Sequence, residues 1–212
     1  MLGTARPTAC SLSRPDRSVR RVCGYLHPWN GALRSLTPRL TVHSQATVVA
    51  EADLRGDITI GSGTLTAYPG TVIHPRAKID ASHAPIRLGD NCIVEEGAEL
   101  VSTPEGMKIG DGNLFRVGCS VASKQVGNCN IFEPKCRVPS QVCVADFCTV
   151  GAGCNLMQDE GTLTERTVVY GEENTRRLWS GEGVGQRLAQ HAKQLQYLRD
   201  TLPQAHKLRM IR

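Results

Sequence analysis

Apolar residues recur at every sixth position. Backwards from Leu156 they are Val150, Val144, Val138, Phe132 and Val126. Val42, Val48, Leu54 and Ile60 form a second run, and Ile73 with Ile79 a third. Leu88, Val94 and Leu100 make a fourth, and Ile109, Phe115 and Val121 a fifth. A strand alternates with period 2 and a helix with period 3.6, so neither produces strict sixes. A six-residue period is the mark of a parallel β-helix. The residue after the anchor is often Gly or acidic: Gly61, Gly89, Gly110, Gly127, Glu133, Gly151. The fourth residue after it is mostly small: Ala46, Ala52, Thr64, Ala77, Ala98 and five cysteines, Cys92, Cys119, Cys136, Cys148 and Cys154. Each hexad reads as one face of a triangular prism, with the anchor on the axis and the small residue at the corner. Three hexads close a coil, and coils stack at ~4.8 Å through strand hydrogen bonds. The pattern predicts an all-β left-handed parallel β-helix of about seven coils over residues 41–171, the last one supplied by Thr164–Gly171.

The period slips at four places, where corner loops are expected. "TAYPGT" (Thr66–Thr71) lies in a seven-residue excess between Ile60 and Ile73. "ASHAPIR" and "STPEGMK" mark excesses of three each, and Val121 to Val126 is one short. Residues 172–185 read as a polar linker. From Gln186 to the end, Leu188, Ala192, Leu195, Leu198 and Leu202 recur at helical steps. This predicts a C-terminal helix and tail over residues 186–212, with its apolar stripe on one prism face and Pro203 ending or kinking it. The end coils leave strand edges that a partner subunit could cover.

Aromatic residues make up 4% of the chain, so the core must be built from small aliphatic side chains. The net charge of +5 is unevenly spread: residues 1–40 hold seven Arg and one acid, leaving the remainder at −1. The body is therefore not the basic surface a nucleic-acid binder needs. Residues 1–40, interrupted by Pro7, Pro15, Pro28 and Pro38, read as a disordered basic extension. Being Arg-rich and acid-poor, it is also compatible with a mitochondrial transit peptide. No apolar run approaches the ~20 residues of a membrane span, which reads as a soluble chain. The chain has nine cysteines, no C-x-x-C pair and no secretory leader. Cys92, Cys119, Cys136, Cys148 and Cys154 are therefore expected to be buried corner residues, Cys129 and Cys143 ordinary thiols, and none of them metal ligands.

Candidate chemistry is thin. A zinc hydratase needs three imidazoles around an open metal position. His43, His74, His83, His191 and His206 are scattered too widely to converge. "LGDNCIVEEGAE" carries Asp90, Glu95 and Glu96 where the resembling γ-class carbonic anhydrases have two histidines. Arg55 and Asp57 in "LRGDITIG" resemble the arginine–aspartate pair of that scaffold, and here imply a corner or subunit contact. His74 and His83 are the candidates for an acyltransferase base, without an identifiable orienting partner.

Longer segments carry a more specific resemblance. "LRGDITIGSGT", "TVIHPRAKI", "IRLGDNCIVEEGAELV", "IGDGNLFRVGC", "NCNIFEPKCRV", "GAGCNL", "TVVYGEENTRRL" and "QLQYLRDTLPQAHKL" together resemble the dynactin subunit 6 family over about residues 42–209. The resemblance implies a non-catalytic structural subunit with no catalytic residues, metal or cofactor, in the cytoplasm and on the cytoskeleton. It implies pairing with a sister β-helix subunit and joining an actin-related protein at the pointed end of dynactin. It further implies support of dynein-driven transport and of cargo-adaptor binding. The basic N-terminus and "TAYPGT" depart from the family pattern. The alternatives are a mitochondrial γ-carbonic-anhydrase-like protein and a hexapeptide acyltransferase. No partner-binding residue is assigned by the resemblance.

Overall fold

The structure is a computed structural model and describes residues 19–21, 40–43, 46–61, 70–158 and 161–209. Three parallel strand ladders form the faces of a left-handed prism. The first face stacks β3 (Thr47–Val48), β5 (Val72–Ile73), β7 (Ile93–Val94), β10 (Leu114–Phe115), β13 (Ile131–Phe132), β15 (Thr149–Val150) and β16 (Thr167–Tyr170). The second stacks the first halves of β4 (Asp53–Ile60) and β6 (Lys78–Leu88) on β8 (Glu99–Val101), β11 (Ser120–Val121) and β14 (Arg137–Val138). The third runs from β2 (Leu40–His43) through the second halves of β4 and β6 to β9 (Met107–Ile109) and β12 (Gln125–Val126). Bridges Val126↔Val144 and Val144↔Leu163 continue it. Six coils are complete, and Leu163 with Val169 opens a seventh.

The hexad anchors point to the axis. Ile60, Ile73, Ile79, Val94, Leu100, Phe115, Val121, Phe132 and Val150 are fully buried. Leu54, in the first coil, is half-buried. In-register stacking sets like beside like: the Phe115 and Phe132 rings lie parallel with centroids 4.9 Å apart. Each coil thus buries its side chains against the next, which is how a core with few aromatics reaches close packing.

The excess residues go where the faces can shed them. "ASHAPIR", expected as a corner loop, lies inside the continuous strand β6. Ser82–Pro85 bulge out between the pairs Gly56↔Ala81 and Ile58↔Ile86. Gly56 allows this bend: its φ is 82°, and a Cβ there would lie 2.2 Å from the Ala81 carbonyl oxygen. Of Thr66–Thr71 only Gly70 and Thr71 are described, so that insertion lies outside the described residues. The same holds for most of residues 1–40. Within them Val19–Arg21 form β1, antiparallel to β2, and Leu40 opens β2 itself.

The C-terminal part departs from the expected linker. Within residues 172–185, Thr175–Leu178 form β17, antiparallel to β16. The helix α1 spans Val184–Ala205, two residues earlier than expected, and passes through Pro203. Pro203 sits in the last turn, so it removes one hydrogen bond only and the helix closes with His206 N–H donating to Leu202 O at 2.8 Å.

Candidate functional site

The small-residue slot occurs at two regular corners, and the backbone is the same at both. The residue before the slot has positive φ: Asn91, Gly112, Cys129, Phe147 and Arg166 at the corner leading into the first face. Arg76, Gly97, Gly118, Lys135 and Gly153 do so at the corner leading out of it. The slots differ in chemistry. The outgoing corner stacks Ala52, Ala77, Ala98, Cys119, Cys136 and Cys154, all buried. The incoming corner stacks Thr71, Cys92, Asn113, Asn130, Cys148 and Thr167, also buried.

The incoming column is a hydrogen-bonded ladder. Thr71 Oγ1 donates to Gly89 O at 2.7 Å and accepts from Cys92 N at 3.2 Å. Cys92 Sγ donates to Gly110 O at 3.2 Å. Asn113 Nδ2 reaches Gly110 O and Gly127 O at 2.8 and 2.9 Å, while its Oδ1 accepts from Asn130 N at 2.9 Å. Asn130 Oδ1 accepts from Cys148 N at 2.7 Å, and Cys148 Sγ donates to Thr164 O at 3.1 Å. A second ladder runs beside it: Asp90 N donates to Asp111 Oδ1, Asp111 N to Asn128 Oδ1, and Asn128 N to Asp146 Oδ1, at 2.7–2.9 Å. Gly89, Gly110 and Gly127 leave room for these carboxylates and amides. A Cβ at Gly127 would lie 2.1 Å from Asp146 Oδ1.

The helix α1 crosses the outside of the first face as a diagonal strap. It starts at the incoming corner, where Arg187 Nη2 donates to Cys129 O at 2.7 Å. His191 Nε2 is 2.7 Å from Asn91 O. Both carbonyls belong to positive-φ corner residues, so the turns aim them outward. Leu195, Leu198 and Leu202 then cover Val49, Val72, Ile93, Leu114 and Ile131. The strap ends on the first coil: His206 Nδ1 is 3.1 Å from Glu51 Oε2, and Leu208 bridges Val49 antiparallel. Of the expected apolar stripe, Leu195, Leu198 and Leu202 pack on the prism face, whereas Leu188 is exposed.

The proposed chemical residues do not converge. His83 is exposed on the β6 bulge. His74 lies at the seam; its Nε2 is buried without a hydrogen-bond partner among the described residues, and burial pushes its pKa down. Burial likewise lowers His191. His206 is at the far end of α1, and the His43 side chain lies outside the described residues. Arg55 pairs with Asp53, not with the exposed Asp57: Arg55 Nη2 to Asp53 Oδ2 is 2.7 Å. Residues 55 and 57 flank the Gly56 bend, whereas Asp53 and Arg55 share one side of the strand. Among the described residues no group of His, Cys, Asp and Glu could hold a metal ion. The described cysteines form no disulfide with one another. Burial raises Cys92 to about 12, and the neighbouring Cys136 thiol together with burial raises Cys119.

One cleft opens beside the strap, about 70 Å³ in volume, between Leu114, Arg116, Cys129 and Ile131 on the prism and Arg187, Leu188, Gln190, His191 and Gln194 on α1. It holds one side chain, well short of the ~300 Å³ that a small-molecule site needs. Sequence reasoning did not find it, nor the polar ladder. A hint of the ladder was available in Asn113, Asn130 and Cys148, which recur once per coil at the same slot.

No protein-family model matches the chain. Its neighbours among solved structures include a hexapeptide transferase family protein from Anaplasma phagocytophilum, with TM-score 0.67 and 15% identity over 78% of this chain and 94% of that one. A putative acetyltransferase from Bacillus cereus superposes with TM-score 0.55 and 14% identity, over 78% and 95% of the two chains. At these identities the likeness is one of fold: the chain is a hexapeptide-repeat β-helix protein. Sequence narrows this. Dynactin subunit 6 of Nematostella vectensis is 33% identical over 190 residues, 84% of this chain and 96% of that protein. The Danio rerio protein of that name is 34% identical over 177 residues, 77% of this chain and 84% of the relative. The chain belongs to the dynactin subunit 6 family.

Proposed function

We propose that the protein is a non-catalytic structural subunit of dynactin. In this reading it sits in the pointed-end complex beside a sister β-helix subunit and an actin-related protein. It would work in the cytoplasm, on the cytoskeleton, supporting dynein-driven transport and the binding of cargo adaptors. The observation that carries the reading is identity extending over nearly the whole of a dynactin subunit 6 relative, 96% of its length. The geometry supports it. The candidate bases His74 and His83 are apart, one in the seam and one on the bulge. The described cleft suits a side chain, and the first face is occupied by α1.

The test is sedimentation of the tagged full chain from a gentle lysate, with mass spectrometry of what travels with it. Migration in a very large particle containing actin-related protein and dynactin subunits is expected. Migration as a small homotrimer, or with mitochondrial membranes, would overturn the reading.

A further inference from the structure

We propose that the cleft between α1 and the first face is a docking point for a partner segment that presents a carboxylate side chain next to an aliphatic one. The inference deepens the structural-subunit reading and rests on it. Three observations support it.

The first is charge. From Val184 to Arg199 the helix carries Arg187, His191, Lys193 and Arg199 and no acid. Among the described residues, Arg187 makes no ion pair with a carboxylate. Its guanidinium donates to Cys129 O at 2.7 Å and more weakly to Cys148 O at 3.4 Å, and lies 5.3 Å from the centre of the Trp179 ring. The nearby acids make their direct contacts with other groups, although Glu133 also acts on Arg187 through space. Glu133 is 3.4 Å from Arg116 Nε, and Glu95 accepts from Val117 N and Gln194 Nε2. Arg187 is thus a partly desolvated charge at the edge of an opening, where a carboxylate would meet less competition from water.

The second is polarity. The floor is aliphatic, from Leu114 and Ile131, and Leu188 on the rim is 42% exposed although it faces the cleft. The third is size. At about 70 Å³ the cleft takes one anchor side chain. A few desolvated anchors of this kind usually dominate a protein interface.

A photo-crosslinking amino acid placed at Leu188 of the tagged full chain tests this in cells, with the adduct mapped by mass spectrometry. Separately, Leu188→Glu without the crosslinker is compared with the wild type by sedimentation. The expected adduct is to a segment holding Asp or Glu beside an aliphatic residue. The expected loss of co-sedimenting partner for Leu188→Glu is roughly tenfold, with an unchanged melting temperature. An adduct to a basic segment, or none, overturns the inference. So does undiminished co-sedimentation of Leu188→Glu alongside a wild type that enters the large particle. If the wild type itself never enters that particle, the dynactin reading falls, and the mapped adduct alone decides the cleft.

Discussion

The two corners that flank the first face use one backbone turn and opposite chemistries. At the outgoing corner, Ala52, Ala77, Ala98, Cys119, Cys136 and Cys154 fill the slot with small side chains that ask for little. At the incoming corner, Asn113 fills it with an amide bonded at both ends to backbone of its own and the neighbouring coils, and Asn130 with one whose Oδ1 accepts from Cys148 N while its Nδ2 is buried without a partner among the described residues. The first solution needs little beyond volume, its polar contacts being weak thiol ones such as Cys154 Sγ to Gly171 O at 3.4 Å. The second needs partners, because a buried amide without them costs more than its hydrogen bonds return. The difference shows outside the prism too. The helix α1 starts on the carbonyls of Asn91 and Cys129, both on the polar corner. A corner held rigid by cross-coil bonds offers the strap fixed acceptors.

Moving chemistry between the corners should break this division. The largest effect is expected for Ala98→Asn, which adds volume and an unpartnered amide to the small corner, at about 3–4 kcal/mol. Chemical denaturation would show it as a lower midpoint at constant slope; a loss under 1 kcal/mol would mean that the corners are interchangeable. Next comes Asn130→Ala, which strands the Cys148 N–H, at about 2 kcal/mol. The same measurement on both variants sharpens the contrast.

A pH series tests the polar corner's grip on the strap. Burial lowers His191 and His74 below the usual imidazole range. Their neutral forms are favoured in the folded state, so their contribution is complete above the unfolded value near 6.5. It is lost as pH falls from there toward the folded values. Melting temperature should drop between pH 7.5 and 5.5, and drop less in His191→Gln; equal drops would show that His191 does not carry the pH dependence. The smallest effect is expected for Cys136→Ala, about 1 kcal/mol, since Ala fills that slot in other coils. A cost above 3 kcal/mol would show a role for the Cys119–Cys136 contact beyond filling space.

The prism was legible because its period is a packing rule: Val126, Phe132, Val138, Val144 and Val150 had to share an environment. The same rule placed the five slot cysteines correctly as buried packing groups. The polar ladder was not legible, because Asn113 and Asn130 break an apolar trend and their partners are backbone groups a full coil away. The pairing of Arg55 with Asp53 was missed because the bend at Gly56 puts Asp57 on another course. The strand β17 was missed because its four residues are all exposed and give no burial pattern. The cleft depends on where α1 crosses the face, which is a tertiary fact.

Solenoids ordinarily behave as one-dimensional stacks, in which each coil feels only its neighbours and the ends fray first. A strap anchored at Cys129 in the fifth coil and at Glu51 in the first changes that arithmetic. Loosening the first coil removes a contact that also holds the fifth, so distant repeats share one fate. The stack is closed on itself, and it should melt as a single cooperative unit rather than unzip from an end.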